Sequence, residues 1–432
     1  MFRANKTVLK SCKIYQMLKA NARKKHLSFH TPGHKNGKWD ITELVYSDNL
    51  SSPRGCIAEA EKEISEILGA YKSFILTDGS TSGVLSMLYA AKQLGVKTVA
   101  VFENSHKSIF NACKITGIVP LVYTQTNGDK IPNGVTMSAL KEDFSSLLNE
   151  ADALFITSPD YYGNVAELSA MRAYCEETGK LLLVDGAHGG HLHFDKDVYA
   201  GTYADMWVDG VHKSLPALTQ GAVVSAKNKK YAAALQEGVN IFRTTSPSYP
   251  IMASVEYAVK YPQNKALEEV AKGYIQSCPR IYKSKDWTKL CALFGENAFD
   301  AEKALQEKGI YPEFCDGNVV MFYLSPATTK RQFCRLKKEL NRLFEEYPYI
   351  SKKAVERIPT PFVLDKNKET EWVEMEKAEG RICAAACGMF PPCTPFIYAG
   401  ERIQKGKIDM LKNAANVYGL VDEKILVQKE EE

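Results

Sequence analysis

The sequence predicts an α/β protein: a large region built on a mostly parallel sheet between helices, followed by a smaller α/β region. Two observations carry this. From about Pro53 to Phe242, helix-like and strand-like apolar patterns alternate, as expected of a parallel sheet covered on both faces. Within that stretch Leu181-Leu182-Leu183-Val184 and Met206-Trp207-Val208 are continuous apolar runs, which read as strands buried on both sides.

In chain order, residues 57–69 have helical periodicity and stop at a glycine, 73–77 form a short strand and 80–95 a helix. Strands at 98–102, 119–123 and 153–157 then alternate with helices after Ser105, near 137–148 and over 168–179. The Leu181 and Met206 runs and a strand at 221–226 close the series. From about Gln276 a second region carries a helix at 301–308, a strand at 319–323 and a basic amphipathic helix at 330–345. The charged stretch 365–379 reads as a helix or a linker. The expected division is an N-terminal arm over 1–37, a large domain over 38–275 and a C-terminal α/β domain over 276–432. Apart from Glu430-Glu431-Glu432 there is no low-complexity segment, and no internal repeat.

Composition excludes several classes. The chain of 432 residues, 45% hydrophobic and 25% charged, is ordinary for a soluble protein of two or three domains. Its 55 basic and 51 acidic residues give a net charge of +4 without long runs of one sign, which argues against nucleic acid or a membrane surface as partner. The basic start lacks the apolar core of a signal peptide, so a cytoplasmic protein is expected. Eleven cysteines contain no CxxC pair and read as reduced, partly buried residues. All eight histidines lie between His26 and His212, which suggests where the polar chemistry is concentrated.

Both buried runs break off into polar loops, Asp185-Gly186-Ala187-His188 and Val211-His212-Lys213-Ser214. The carboxylate of Asp185 and the amine of Lys213 are therefore expected side by side at the C-terminal edge of the sheet, where open α/β sheets bind ligands. Such a pair suits pyridoxal 5′-phosphate (PLP): lysine bonds the cofactor through its amine, and aspartate keeps the pyridine nitrogen protonated so that the ring draws electrons. A buried Lys–Asp ion pair without a ligand is the plainer alternative, although it would give little stability after desolvation.

The loop Thr77-Asp78-Gly79-Ser80-Thr81-Ser82-Gly83 lies between a predicted strand and a helix. Glycines there let a ligand approach the backbone, hydroxyls donate hydrogen bonds and the helix N-terminus attracts an anion, which suits a phosphate; a plain Ser/Thr helix cap is the alternative. His106, after the 98–102 strand, could stack on a cofactor ring or serve as a structural histidine. His188, His191 and His193, with Asp195 and Asp197 beyond, match no zinc spacing, so no metal is expected.

These stretches together resemble the Orn/Lys/Arg decarboxylases, PLP enzymes of the aspartate-aminotransferase-like fold (fold type I), in their short form without a wing domain. The matching segments are His30-Thr31-Pro32-Gly33-His34-Lys35, residues 48–69 with Ser52-Pro53-Arg54-Gly55, Asp78 to Ser82, Asn104 to Ser108, and Ser158-Pro159-Asp160-Tyr161-Tyr162-Gly163. Asp185 to His191, His212 to Gln220, Thr244 to Pro250 and Phe390-Pro391-Pro392-Cys393-Thr394-Pro395 complete them. The resemblance implies a large PLP-binding domain with a seven-stranded type of sheet and a decarboxylase of lysine, ornithine or arginine, releasing CO2 and a di- or polyamine. It implies that Lys213 carries PLP, Asp185 pairs with the ring nitrogen, His106 stacks on the ring and His188 lies close to it. Ser80, Thr81, Ser82 and His212 would hold the phosphate. The segment around Thr245 would reach the phosphate from a neighbouring subunit of a homodimer or larger homo-oligomer.

Several positions depart from the family pattern: Asp78 for asparagine, Asn49 for aspartate, Glu103 for arginine, Gly210 for a phosphate-binding serine, Cys393 for glycine and Ala399 for proline. They keep open a PLP-binding homologue with little decarboxylase activity that regulates or partners an active one, and another fold-type I reaction such as transamination or aldol cleavage. The missing serine hydroxyl leads to the expectation that Gly210→Ser tightens PLP binding, unless the backbone requires glycine there.

Overall fold

A computed structural model describes residues 5–24, 27–103, 105–123, 134–350, 368–389, 393–413 and 416–429. His26, Asn104, residues 365–367, the Phe390-Pro391-Pro392 part of the C-terminal motif and the acidic tail lie outside the described residues.

Strands β1 (Lys72–Leu76), β2 (Thr98–Phe102), β3 (Val119–Tyr123), β4 (Ala153–Thr157), β5 (Leu181–Gly186), β6 (Met206–Asp209) and β7 (Ala222–Ala226) form one sheet in the order β1-β7-β6-β5-β4-β2-β3. From β6 through β3 all neighbours are parallel, and β7 runs antiparallel to both β1 and β6. In β5 the side chains of Leu182 and Val184 join the core on one face while Leu183 joins the core on the other. All three are fully buried, each stabilising the fold by about 1.5–3 kcal/mol. Burial on both faces explains why this strand is apolar throughout rather than alternating, and why its polar end marks the sheet edge.

A second sheet, in the order β8-β10-β9, joins β8 (Lys289–Leu293), β9 (Phe314–Cys315) and β10 (Val319–Tyr323), all antiparallel. Leu290, Ala292, Val320 and Phe322 face a core shared with residues of the helices Lys265–Ser277, Ala298–Glu307 and Lys330–Glu346. Cys291, Val319 and Met321, on the opposite face, pack on Tyr161 and Tyr162 of the large sheet's loops. That alternation brings the odd-numbered side chains of β8 and β10 towards the edge where β5 and β6 end.

The charged stretch 365–379 is neither helix nor plain linker over its described part. Thr370–Glu374 is a strand, antiparallel to Lys424–Gln428 with Trp372 opposite Leu426, and Met375–Lys377 is a short 3-10 turn. Thr, Trp and Val favour a strand, and Glu side chains are well tolerated at a sheet margin. Among the described residues no helix is long and apolar enough to cross a membrane.

Candidate active site

Asp185 ends β5, and Lys213 lies in the single turn Val211–Ser214 that follows β6. The two strands are adjacent and parallel, with Asp185 opposite Val208. Asp185 is 3% exposed and accepts the Ala187 amide at 3.0 Å. Burial raises its carboxyl above the ordinary value, opposed by Lys213 and that amide. Burial in turn lowers the Lys213 amine, aided by Lys289 and opposed by Asp185, Glu313 and Cys393. Both groups thus shift towards their neutral forms, a condition that a ligand offering charge and covalent chemistry would relieve.

The glycine-rich loop meets the same edge. Gly79, at φ of 77°, opens the helix Gly79–Gln93 and its amide donates to the Gln220 carbonyl at 2.8 Å; a side chain in that left-handed conformation would be strained. Ser80 Oγ and Thr77 Oγ1 are buried without a hydrogen-bond partner among the described residues. Orphaned buried hydroxyls cost about 1–3 kcal/mol each, so the loop is built to meet an acceptor. Ser82 is different: its hydroxyl donates inward to the Gly79 carbonyl at 3.0 Å. Thr81 is exposed.

Five histidines take distinct positions. His106 caps the helix Lys107–Thr116 by accepting the Ser108 amide on Nδ1 at 3.2 Å, and burial with the charges of Lys213 and Lys107 pushes it down to about 3. It is therefore a neutral ring, suited to stacking. His212 donates from Nδ1 to the Gly221 carbonyl at 2.9 Å. His188 is 4% exposed, with Nε2 at 3.0 Å from Lys213 Nζ and Nδ1 at 2.8 Å from the Tyr323 hydroxyl. His191 turns away to Asp286, Nε2 to Oδ1 at 2.8 Å, while His193 Nδ1 bonds the Gly190 carbonyl at 2.7 Å. The three histidines of that run thus serve separate partners.

Thr245 is exposed, and the neighbouring Thr244 amide donates to Asp78 Oδ2 at 3.3 Å within the same chain. Asp78 also lies in the field of buried Arg243, so its negative charge is partly answered by protein. Cys393 keeps φ of 63° although it carries a side chain, and its carbonyl accepts the Lys107 amide at 3.0 Å beside His106. The backbone there retains the conformation that glycine would adopt freely.

Gly210 corrects an expectation drawn from sequence. A Cβ at this position would stand 2.3 Å from the Ala187 carbonyl oxygen and 2.9 Å from Ser80 Oγ. Its φ of −81° is available to any residue, so the constraint is space and not conformation. Gly210→Ser is therefore expected to displace the Ala187 loop and weaken PLP binding, by about tenfold or more for a cost near 1.4 kcal/mol. PLP dissociation measured by dialysis and absorbance checks this: tighter binding by the serine variant would restore the missing-hydroxyl account.

Local periodicity does not single out Tyr161, Asp286, Lys289 and Tyr323, which gather around His188 beside Lys213. The Tyr161 ring centroid is 4.4 Å from that of His188. Lys289 is fully buried, bonds Asp286 Oδ2 at 2.9 Å and lies 4.0 Å from the Tyr323 ring centroid. An Asp-x-x-Lys spacing ahead of an apolar run is the one signal the sequence offers for this pair.

The sequence pattern of the Orn/Lys/Arg decarboxylase major domain matches residues 38–295, and that of the family's C-terminal domain matches 338–418. The chain belongs to this family. It is 29% identical over 449 aligned positions to the uncharacterized protein YaaO of Bacillus subtilis, covering 92% of this chain and 93% of that one. It is 27% identical to an arginine decarboxylase of Halalkalibacterium halodurans, covering 91% of each. The solved constitutive lysine decarboxylase of Escherichia coli shares the fold, with a TM-score of 0.74 at 17% identity over 98% of this chain and 82% of that one. The protein is an amino-acid decarboxylase of PLP fold type I, and the orphaned Ser80 hydroxyl and the buried Asp185 carboxylate, which accepts a single backbone amide, fit that cofactor's phosphate and ring nitrogen.

Proposed function

We propose that the chain decarboxylates a basic amino acid, arginine by analogy with relatives named arginine decarboxylase that match 91–92% of it, at a site made by Lys213, Asp185, His106, His188, His212 and Ser80. The observation carrying this is the convergence of a buried amine, a buried carboxylate and an orphaned hydroxyl at one sheet edge. PLP, when bound, supplies the electron sink that takes up the pair left by CO2. Asp185 holds the proton on the ring nitrogen, and His106 offers a neutral face to the ring. Ser80, Thr77 and the first turn of the helix Gly79–Gln93 receive the phosphate. Ser82, whose proton is committed to Gly79, and exposed Thr81 contribute less. Lys213 would hold the cofactor covalently between turnovers, and Lys213 or His188 would be placed to return a proton to Cα.

Glu313 supports the choice of a basic side chain, because it lies within the electrostatic field of Lys213, Tyr161 and Tyr323. Glu401, by contrast, binds Lys407 and the Tyr398 amide. Leu27, Phe29 and Val45 are 86%, 89% and 107% exposed, and large exposed apolar groups of this kind support a homodimer in which Thr245 serves the partner's phosphate. Purified protein with PLP, offered arginine, lysine and ornithine separately, is expected to release CO2 and the matching amine. Glu313→Gln should raise KM for the preferred substrate about ten- to a hundredfold, for one charge-assisted contact worth about 1.5–3 kcal/mol. No CO2 from any of the three would overturn the reaction, an unchanged KM the role of Glu313, and a fully active monomer by light scattering the shared site.

A further inference from the structure

A continuous hydrogen-bonded line leaves the large sheet at Lys213 and ends in the second sheet. Lys213 Nζ is 3.0 Å from His188 Nε2, and His188 Nδ1 is 2.8 Å from the Tyr323 hydroxyl. Tyr323 stands opposite Lys289 in the β10–β8 pairing. The Lys289 ammonium covers the Tyr323 ring at 4.0 Å and donates to the His188 carbonyl at 3.3 Å. Asp286 anchors that ammonium at 2.9 Å, and its other oxygen takes His191 at 2.8 Å and Thr288 Oγ1 at 2.7 Å. Asp286, Thr288 and Lys289 are fully buried. Burial alone would raise the Asp286 carboxyl, but His191 and Lys289 outweigh it and hold it ionised.

A neutral imidazole carries one N–H, and the group facing one nitrogen decides what the other presents. We infer that Tyr323 is a positioning residue that donates to Nδ1 of His188 and so fixes Nε2–H towards Lys213, whose amine then accepts it unprotonated and nucleophilic. The inference rests on the reading of Lys213 as the residue that bonds the cofactor. Tyr323 is well suited to donate, since burial first, and Asp286 next, raise its hydroxyl far above the ordinary range and keep its proton on. His188 stays neutral because burial, Lys213, Lys289 and His106 lower it against the weaker pull of Asp286. Around the amine itself, burial and Lys289 favour the neutral form while Asp185, Glu313 and Cys393 favour the charged one. With these opposing charges already present, a single hydrogen bond to the lone pair moves the balance. The buried Lys289–Asp286 pair at the start of β8 is thereby more than a local ion pair: it clamps the ring and the carbonyl that aim His188.

The test is the rate at which apoprotein captures PLP as a function of pH, followed by visible absorbance and fixed by borohydride. Capture requires the unprotonated amine, so its midpoint reads the Lys213 amine directly. Tyr323→Phe removes only the hydroxyl and is expected to move that midpoint up by about one pH unit, slowing capture roughly tenfold below it. His188→Gln should shift it in the same direction, and Tyr323→Phe added to His188→Gln should shift it no further, because both act through one contact. A midpoint that stays in place or falls in Tyr323→Phe, or an equal slowing at every pH, would overturn the positioning role. Additive shifts in the double variant would do so too. Lys213→Ala separates the two readings: covalent capture by that variant refutes the assignment of Lys213 itself, whereas capture by wild type only, with an unmoved Tyr323→Phe midpoint, refutes the role of Tyr323 alone.

Discussion

Lys213→Ala is expected to lower turnover by at least about a thousandfold and to abolish the visible absorbance of lysine-bound PLP. The amine it removes is not replaceable by a neighbour. Lys289, the other buried amine near the pocket, is held by Asp286 at 2.9 Å and by Thr288 Oγ1 and the His188 carbonyl at 3.3 Å each. Among the described residues Lys213 has no carboxylate at salt-bridge distance, and His188 stands 3.0 Å from its amine. Burial and the charge of Lys289 lower its amine below the usual lysine range, so a larger share is unprotonated near neutral pH than for an exposed lysine. The variant should fold, because burial already pushes the Asp185 carboxyl towards its neutral form and the turn Val211–Ser214 is fixed by backbone bonds such as Lys213 N–H to the Gly210 carbonyl. Absorbance spectra and CO2 release on the folded variant check the expectation. Retention of both would exclude Lys213 as the cofactor lysine.

What the sequence makes legible follows from how local each constraint is. Asp185 and Lys213 can be placed because β5 and β6 are apolar until they end, and parallel neighbours must end on one edge. The Gly79 loop and the glycine stop of the helix Cys56–Leu68, where Gly69 has φ of 68°, are equally local. Gly210 is not, since its constraint is the Ala187 carbonyl arriving from the loop after the neighbouring strand β5. Tyr323 lies 135 residues from the His188 it bonds, and the register of an antiparallel sheet, not any periodicity, brings it there. The strand Thr370–Glu374 was hidden by its charges, because a glutamate-rich segment at a sheet margin has the composition of a linker.

Asp185→Asn is expected to separate catalysis from folding in opposite directions. Wild-type Asp185 is 3% exposed, accepts one amide at 3.0 Å and, among the described residues, has no cationic side chain at salt-bridge distance. A buried carboxylate so weakly answered costs stability until a cation arrives, and the protonated ring nitrogen of PLP is that cation. Asparagine keeps the shape and loses the charge, so the ring nitrogen cannot hold its proton. Turnover should fall by about 10²–10⁴, or about 2.7–5.4 kcal/mol of barrier. In the apoprotein the sign reverses. Burial raises the Asp185 carboxyl in the folded state above its unfolded value, so between those two values the folded state binds more protons. The wild-type contribution is therefore fully present below the unfolded value and is lost as pH rises through the folded one. Apo Asp185→Asn should consequently melt above apo wild type near neutral pH, with the gap closing as pH falls towards about 4. Adding PLP should reverse the order, because ligand stabilisation scales with affinity and only the aspartate offers the charge. Melting curves of both proteins with and without PLP, at two pH values, decide it: equal PLP-induced stabilisation of wild type and variant would mean that Asp185 does not face the ring nitrogen.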